Sequence, residues 1–327
     1  MLGSSPASVP WNTHPWVAEG EQRIRFGVVL VGQRSSWPPV FEWVRRLERL
    51  GFDSIWVPDH PMVGMDAWTT LSAIAARGTS LRLGPLVSCV SYRNPALLAR
   101  LAADVDCLSD GRLILGLGIG NNQPEYERMG LSMPSTPDRQ QALEETIDII
   151  RGIWSDGPFS YVGQHFRVAD ASIRPPVQQP HVPVLIAGAG ERVTLRQVAQ
   201  YADVVNFGPT SHTGGAAGPD AIRRKCDVLR DHCRTFERPY ESVLRSYIVW
   251  AIVTSRAEAI ETKVRDVAPH LTLRAREGMF AGTAQQMVGY CQNLVEAGMR
   301  YIILAVDVDD HETAELVGTQ VIPRFAT

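Results

Sequence analysis

The chain has 327 residues, 32 Lys plus Arg against 35 Asp plus Glu, and a net charge of −3 with a sequence pI near 6.3. That balance excludes a basic footprint for nucleic acid, and Lys and Arg gather into no stripe. Hydrophobic residues at 45% and charged residues at 20% exclude a disordered or membrane-embedded chain, and the length suits one α/β barrel.

Met1 to Gln22 holds Trp11 and Trp16 among Ser, Pro and Gly without the basic start and apolar run of a secretory signal. It reads as a flexible extension, 1–23, ahead of a single domain, 24–327. Short apolar runs then alternate with longer amphipathic stretches, the pattern of repeated βα units around a parallel sheet. The expected strands are Ile24–Leu30, Ser54–Val57, Leu81–Val90 with a break at Gly84-Pro85, Arg112–Gly118, Val182–Ala187, Asp203–Phe207, Leu244–Val253 and Tyr301–Val306. Helical spacing marks Val40–Leu50, Trp68–Arg77, Pro95–Leu108, Asp138–Trp154, Glu191–Tyr201, Asp220–Phe236, Arg256–Val267 and Thr283–Ala297.

Eight such units predict a (β/α)8 TIM barrel. Phe159–Arg167, with Phe159, Tyr161, Phe166 and a central Gly163, predicts a small hairpin inserted before the fifth strand. The longest apolar runs, Val28 to Val31 and Tyr301 to Val306, are strand length and far short of a membrane span. Cys89, Cys107, Cys226, Cys233 and Cys291 lie apart with no CxxC pair. They point to neither a disulfide framework nor a zinc site, and a reducing cytoplasm fits them.

In a parallel barrel the ligand site lies where strands end at the C-terminal mouth. There the second strand runs into Pro58-Asp59-His60-Pro61, an imidazole able to exchange a proton near neutral pH beside a carboxylate that could orient it; a plain loop cap is the alternative. The third strand carries Gly84-Pro85-Leu86-Val87-Ser88, and Gly with Pro inside a strand marks a bulge that can bring backbone up to a flat ligand. Ser88 lies in no GxSxG elbow, which argues against a hydrolase nucleophile. The fourth strand ends in Gly116-Leu117-Gly118-Ile119-Gly120-Asn121 and the fifth in Ala187-Gly188-Ala189-Gly190-Glu191-Arg192. Both are phosphate-cradle candidates, or tight βα turns, and neither matches the dinucleotide fingerprint.

Asn206 and the Gly-rich Thr210–Gly218 loop end the sixth strand and could line a substrate pocket or form a mobile surface. Tyr126 and Met129 could pack over a ring, although such residues at helical spacing more often belong to the core. Asp307, Asp309 and Asp310 read as a solvated cap before a last helix. No metal-ligand set is picked out.

Taken together, Gly51–His60, Tyr92-Arg93-Asn94-Pro95, Asp110–Gly118 and Pro183–Gly190 resemble the luciferase-like monooxygenase superfamily, and within it the deazaflavin-dependent oxidoreductases. The resemblance runs from Ile24 to Phe325. It implies a homodimeric TIM barrel with an isoalloxazine-like ring in its mouth. Asp59 and Ser88 would meet the ring edge, and Pro85 and Leu86 would back the ring through a non-proline cis peptide. Gly118, Ile119, Gly120 and Asn121, with Gly188, Ala189, Gly190 and Val193, would hold the cofactor phosphate side.

His60 matches the histidine that handles the substrate proton. The chain departs from some relatives at Asn121, where they carry a carboxylic acid, and an amide cannot donate a proton in that way. The implied activity is hydride transfer between F420 and a small organic substrate. An FMN-dependent monooxygenase and a non-catalytic flavin-binding accessory barrel are the alternatives.

Overall fold

The computed structural model describes residues 12–31, 37–62, 64–211, 213–267 and 276–326. Residues 1–11 of the expected extension and His212 of the expected Thr210–Gly218 loop lie outside the described residues.

In chain order the strands are β1 (Arg25–Val31), β2 (Ser54–Val57), β3 (Arg82–Pro85), β4 (Ser88–Cys89), β5 (Leu115–Gly118), β6 (Phe159–Val162) and β7 (Arg167–Ala171). They are followed by β8 (Val184–Ala187), β9 (Val204–Phe207), β10 (Leu244–Thr254), β11 (Phe280–Thr283) and β12 (Tyr301–Asp307). The main sheet has the order β3-β2-β1-β12-β10-β9-β8-β5-β4, with β11 added to the end of β10. Leu83 of β3 also bridges Leu113 in parallel just ahead of β5. Because β3 and β4 are halves of one interrupted strand, the order closes on itself as the eight-stranded TIM barrel that the alternating pattern predicts. The hairpin β6-β7 is antiparallel and precedes the fifth barrel strand as expected, though its second strand runs four residues further, to Ala171.

Local chemistry sets where the helices begin. α3 (Ala67–Ala76) starts at Asp66, whose carboxylate accepts the Thr69 amide at 2.8 Å. In α4 (Pro95–Leu108) the Asn94 side chain caps Ala96 at 2.9 Å ahead of Pro95 at the first position. The helix Ala284–Glu296 opens with a capping box between Thr283 and Gln286. Most of the core lies between barrel and helices. A second cluster fills the barrel bore in alternate residues of its strands: Val29, Trp56, Ile114, Leu185, Val204, Leu244, Tyr301, Ile303 and Ala305.

The expectation of a loose N-terminal tail fails for its described part. α1 (Pro15–Gln22) closes the N-terminal end of the barrel, with Trp16 and Val17 buried in the bore cluster. Its apolar face has a destination: Trp16 meets Tyr301 edge-on at 5.8 Å, and the Arg25 and Arg82 guanidiniums lie over the indole at 4.7 and 5.0 Å. Gly20 lets the helix sit against Leu244, since a Cβ there would lie 2.7 Å from the leucine Cδ1. Glu21 pairs with buried Arg245.

His14 caps α1 by accepting the Trp16 amide on Nδ1 at 3.1 Å. Burial, and after it the nearby Arg82 charge, pull its pKa from 6.5 down to about 4. The neutral ring is the folded form, so this contribution is whole above 6.5 and fades as the pH falls towards 4. Urea unfolding from pH 7 to 4 should therefore cost the wild type more than His14→Asn, by at most about 3 kcal/mol, because Asn keeps the cap without the titration. Parallel pH curves for the two proteins would exclude His14 as the source.

Candidate active site

The upper end of the bore is covered by partly buried apolar residues, Val31 of β1, Leu86 and Val87 between β3 and β4, Ala187 of β8, and Ile248 and Trp250 of β10. They form an apolar floor at the mouth. The non-proline cis bond is Leu86-Val87, one bond beyond the Pro85–Leu86 position expected from the sequence. Pro85 is still in register with Val57, and the Leu86 amide donates to Val57 O at 2.9 Å, so the strand ladder holds through Leu86 before the chain departs.

Asp59 and Ser88 meet at the rim. Ser88 Oγ donates to Asp59 Oδ2 at 2.9 Å and accepts from Trp68 Nε1 at 3.2 Å. Arg93 grips both Asp59 oxygens and reaches Asp66 Oδ2 at 2.9 Å. Asp59 is only 6% exposed, so its charge is neutralised by this fork and it does not orient His60.

That task falls to a residue the sequence reading missed. His60 Nδ1 lies 3.0 and 2.9 Å from the two Glu125 oxygens. Glu125 is buried on α5 (Gln123–Arg128), a short helix started by Pro124. Tyr92 donates to the same carboxylate at 3.3 Å. Burial, then Cys89 and Glu125, push the Tyr92 phenol well above its usual range and keep it a donor. With Nδ1 committed to the carboxylate, Nε2 of the half-exposed imidazole is left to exchange a proton with a ligand. Asn121, the position singled out for a missing acid, is exposed on the preceding loop; the carboxylate that meets His60 is Glu125, four residues further on. A Pro-started turn of helix carrying a Glu directly after the fourth strand was the available signal.

The first glycine turn divides in two. Gly118 is buried within β5, where a Cβ would lie 2.5 Å from Val87 Cγ2, so its contribution is room for the bulge. Gly120 has φ +74, and a Cβ there would lie 2.7 Å from both Cys89 Sγ and the Tyr126 oxygen. Arg139, buried on α6 (Thr136–Ile153), donates to the carbonyls of Ile119 and Gly120 and fixes the turn that carries Ile119, Gly120 and Asn121.

On the other side, Gly188 has φ +121 and Ala189 is buried. Gly190 leads into α7 (Thr194–Tyr201), with Val193 exposed at its N-cap. Asn206 is buried at floor level beside Ala187, its amide oxygen accepting from Ser246 at 2.9 Å. Tyr126 is core, bonded to Cys89 Sγ at 3.0 Å, whereas Met129 is exposed.

Comparison with known proteins matches residues 24–320 to the family described as luciferase-like monooxygenase. The F420-dependent glucose-6-phosphate dehydrogenase of Amycolatopsis mediterranei is 26% identical over 302 residues, covering 83% of this chain and 89% of that protein. Among solved structures, an F420-dependent secondary alcohol dehydrogenase with an F420-acetone adduct superimposes with a TM-score of 0.78 at 21% identity, covering 93% of this chain and 100% of that one. The F420-dependent tetrahydromethanopterin reductase from Methanopyrus kandleri also reaches 0.78, at 19% identity and the same coverage. At those identities the two structures support the barrel fold.

Removing Arg93 leaves Asp59 a buried carboxylate held by Ser88 alone. Arg93→Met should lower unfolding free energy by roughly 3 kcal/mol, and Asp59→Asn added to it should restore part of the loss. Strictly additive effects in the double-mutant cycle would show that the pair is uncoupled.

Proposed function

Since the chain belongs to the luciferase-like monooxygenase family, we propose that it is an F420-dependent oxidoreductase moving a hydride between the deazaflavin and a small organic substrate. The observation that carries this reading is the His60–Glu125 pair standing at the rim of an apolar floor, with the glycine turns of residues 118–121 and 188–193 beside it. The floor and the two turns fit a planar ring with a phosphate-bearing tail. Leu86 and Val87 would back the ring, and Asp59 with Ser88 would meet its edge. Turns 119–121 and 188–193 would take the phosphate side, and Asn206 would lie beneath the substrate.

Bound deazaflavin supplies two-electron hydride chemistry, its ring carbon replacing the nitrogen through which a flavin activates oxygen. The chain supplies the proton handling. As the carbinol hydrogen of an alcohol leaves with its electron pair, His60 Nε2 takes the hydroxyl proton, and in the reverse direction it returns that proton to the new alkoxide oxygen. Glu125 fixes the Nδ1–H tautomer and stabilises the imidazolium that forms, while Tyr92 holds the carboxylate in place. Arg93 cancels the Asp59 charge, so the ring edge meets a neutral, donor-bearing pair instead of a bare anion. A homodimer in the cytoplasm completes the reading; the five free thiols agree with a reducing compartment.

Absorbance and fluorescence titrations with F420 and with FMN test the cofactor, and F420 reduction against a panel of secondary alcohols and sugar phosphates tests the chemistry. F420 is expected to bind in preference to FMN. His60→Ala should keep that binding and lower turnover roughly a hundred- to ten-thousand-fold. Preference for FMN would move the chain to oxygen chemistry, and undiminished turnover would remove His60 from the reaction.

A further inference from the structure

The loop that joins β8 to α7 is held from below by α8 (Pro219–Thr235). Lys225 donates to the Ala189 carbonyl at 2.9 Å and contacts the Glu191 carboxylate at 2.9 Å. Its side chain is only 11% exposed. His232 Nε2 lies 2.8 Å from the Glu191 carbonyl, and Arg224 pairs with the Glu191 carboxylate at 3.1 Å. From the other side Gly214, with φ +117, lies so close to Ala189 that a Cβ would stand 2.9 Å from the alanine Cβ.

In a trans peptide the carbonyl and the following N–H point in opposite directions. Drawing the Ala189 carbonyl down to Lys225 therefore turns the Gly190 N–H upward, and drawing the Glu191 carbonyl to His232 does the same for Arg192. Turned amides next to a helix start make an anion cradle, and the ammonium beneath adds a charge that little solvent screens. Glu191 offsets part of that charge from outside.

We infer that Lys225 is a positioning residue that makes this loop selective for the phosphorylated cofactor over its phosphate-free core. The inference rests on the functional reading above only in taking residues 188–193 as the phosphate side. It makes Lys225 a discriminator between ligands that share one ring and differ in the tail, with Glu191 as its counterweight. A lysine that merely held the barrel together would affect both kinds of ligand alike.

Dissociation constants of the full chain are measured for F420 and its deazariboflavin core, and for FMN and riboflavin, in wild type, Lys225→Met, Lys225→Arg and Glu191→Gln. Lys225→Met should weaken F420 binding about tenfold, the scale of one charged hydrogen-bond donor, while the core changes less than about twofold by the same scale. Lys225→Arg should recover most of the loss. Glu191→Gln, at a more exposed position, should shift F420 the opposite way and tighten it. Equal weakening of F420 and core, or no change in either, overturns the inference. If the wild type prefers FMN, the functional reading fails while the FMN-to-riboflavin ratio tests Lys225 unchanged. If none of the four ligands binds, both fall.

Discussion

The site depends on how closely two backbones approach where the barrel closes. A Cβ on Gly84 would lie 2.1 Å from the Ile114 carbonyl oxygen, and one on Gly116 would lie 2.0 Å from that of Pro85. No side chain fits at either position, so glycine is a condition of closure here. The pairing of Leu83 with Leu113 and of Ser88 with Leu117 spans five steps on one strand and four on the other. That extra residue is a bulge, and it forces the chain to turn outward between the two pairings. The bulge delivers Leu86 and Val87 to the floor and Ser88 to Asp59, so barrel closure and the shape of the mouth are one constraint.

Two carboxylates stand near each other at that mouth with different work. Asp59 is gripped by Arg93 and Ser88 on both oxygens. Glu125 faces one imidazole and one phenol, and the imidazole is the group able to change charge near neutral pH. One anion is thus paired with a fixed cation and the other with a titratable ring. Arg93 links the two tasks through sequence, because the residue it clamps immediately precedes His60.

The barrel, its inserted hairpin and the strand ends on which Asp59, His60 and Ser88 stand were legible in the sequence because they depend on local pattern: apolar period, cap residues, and Gly or Pro at strand ends. The helix Pro95–Leu108 was legible to the residue, since Asn94-Pro95 specifies its start. What was not legible depends on partners distant in sequence. Glu125 lies 65 residues from His60, and the Pro-started turn that carries it marks a helix without naming its partner. α1 looked like a tail because its composition is mixed; only the buried indole beneath the bore, with two arginines stacked on it, gives that short helix a reason to exist. The glycine pattern of β5 was legible as a motif but not in its division, since Gly118 serves packing and Gly120 serves the turn.

The two turns at the mouth are built by one device used twice. Arg139 on α6 draws down the carbonyls of Ile119 and Gly120, and Lys225 on α8 draws down that of Ala189. In each case a buried cation from a later helix, beyond the one that directly follows the turn, satisfies carbonyls that a tight loop leaves without partners. The alternative, a carboxamide or hydroxyl donor, would satisfy the oxygen equally well but leave no charge behind. Burying a cation costs desolvation, and oxygen acceptors gathered around each of these two side chains offset part of it. Glu191 offsets part of the Lys225 charge directly, and an anion on the opposite side of either loop would be reached by the cation's field through one peptide layer with little intervening water. The placement of charge under both turns is thus an argument about the ligand drawn from the protein alone: a neutral ring could be held by the apolar floor, but two cations buried behind backbone amides favour a ligand whose tail is an anion.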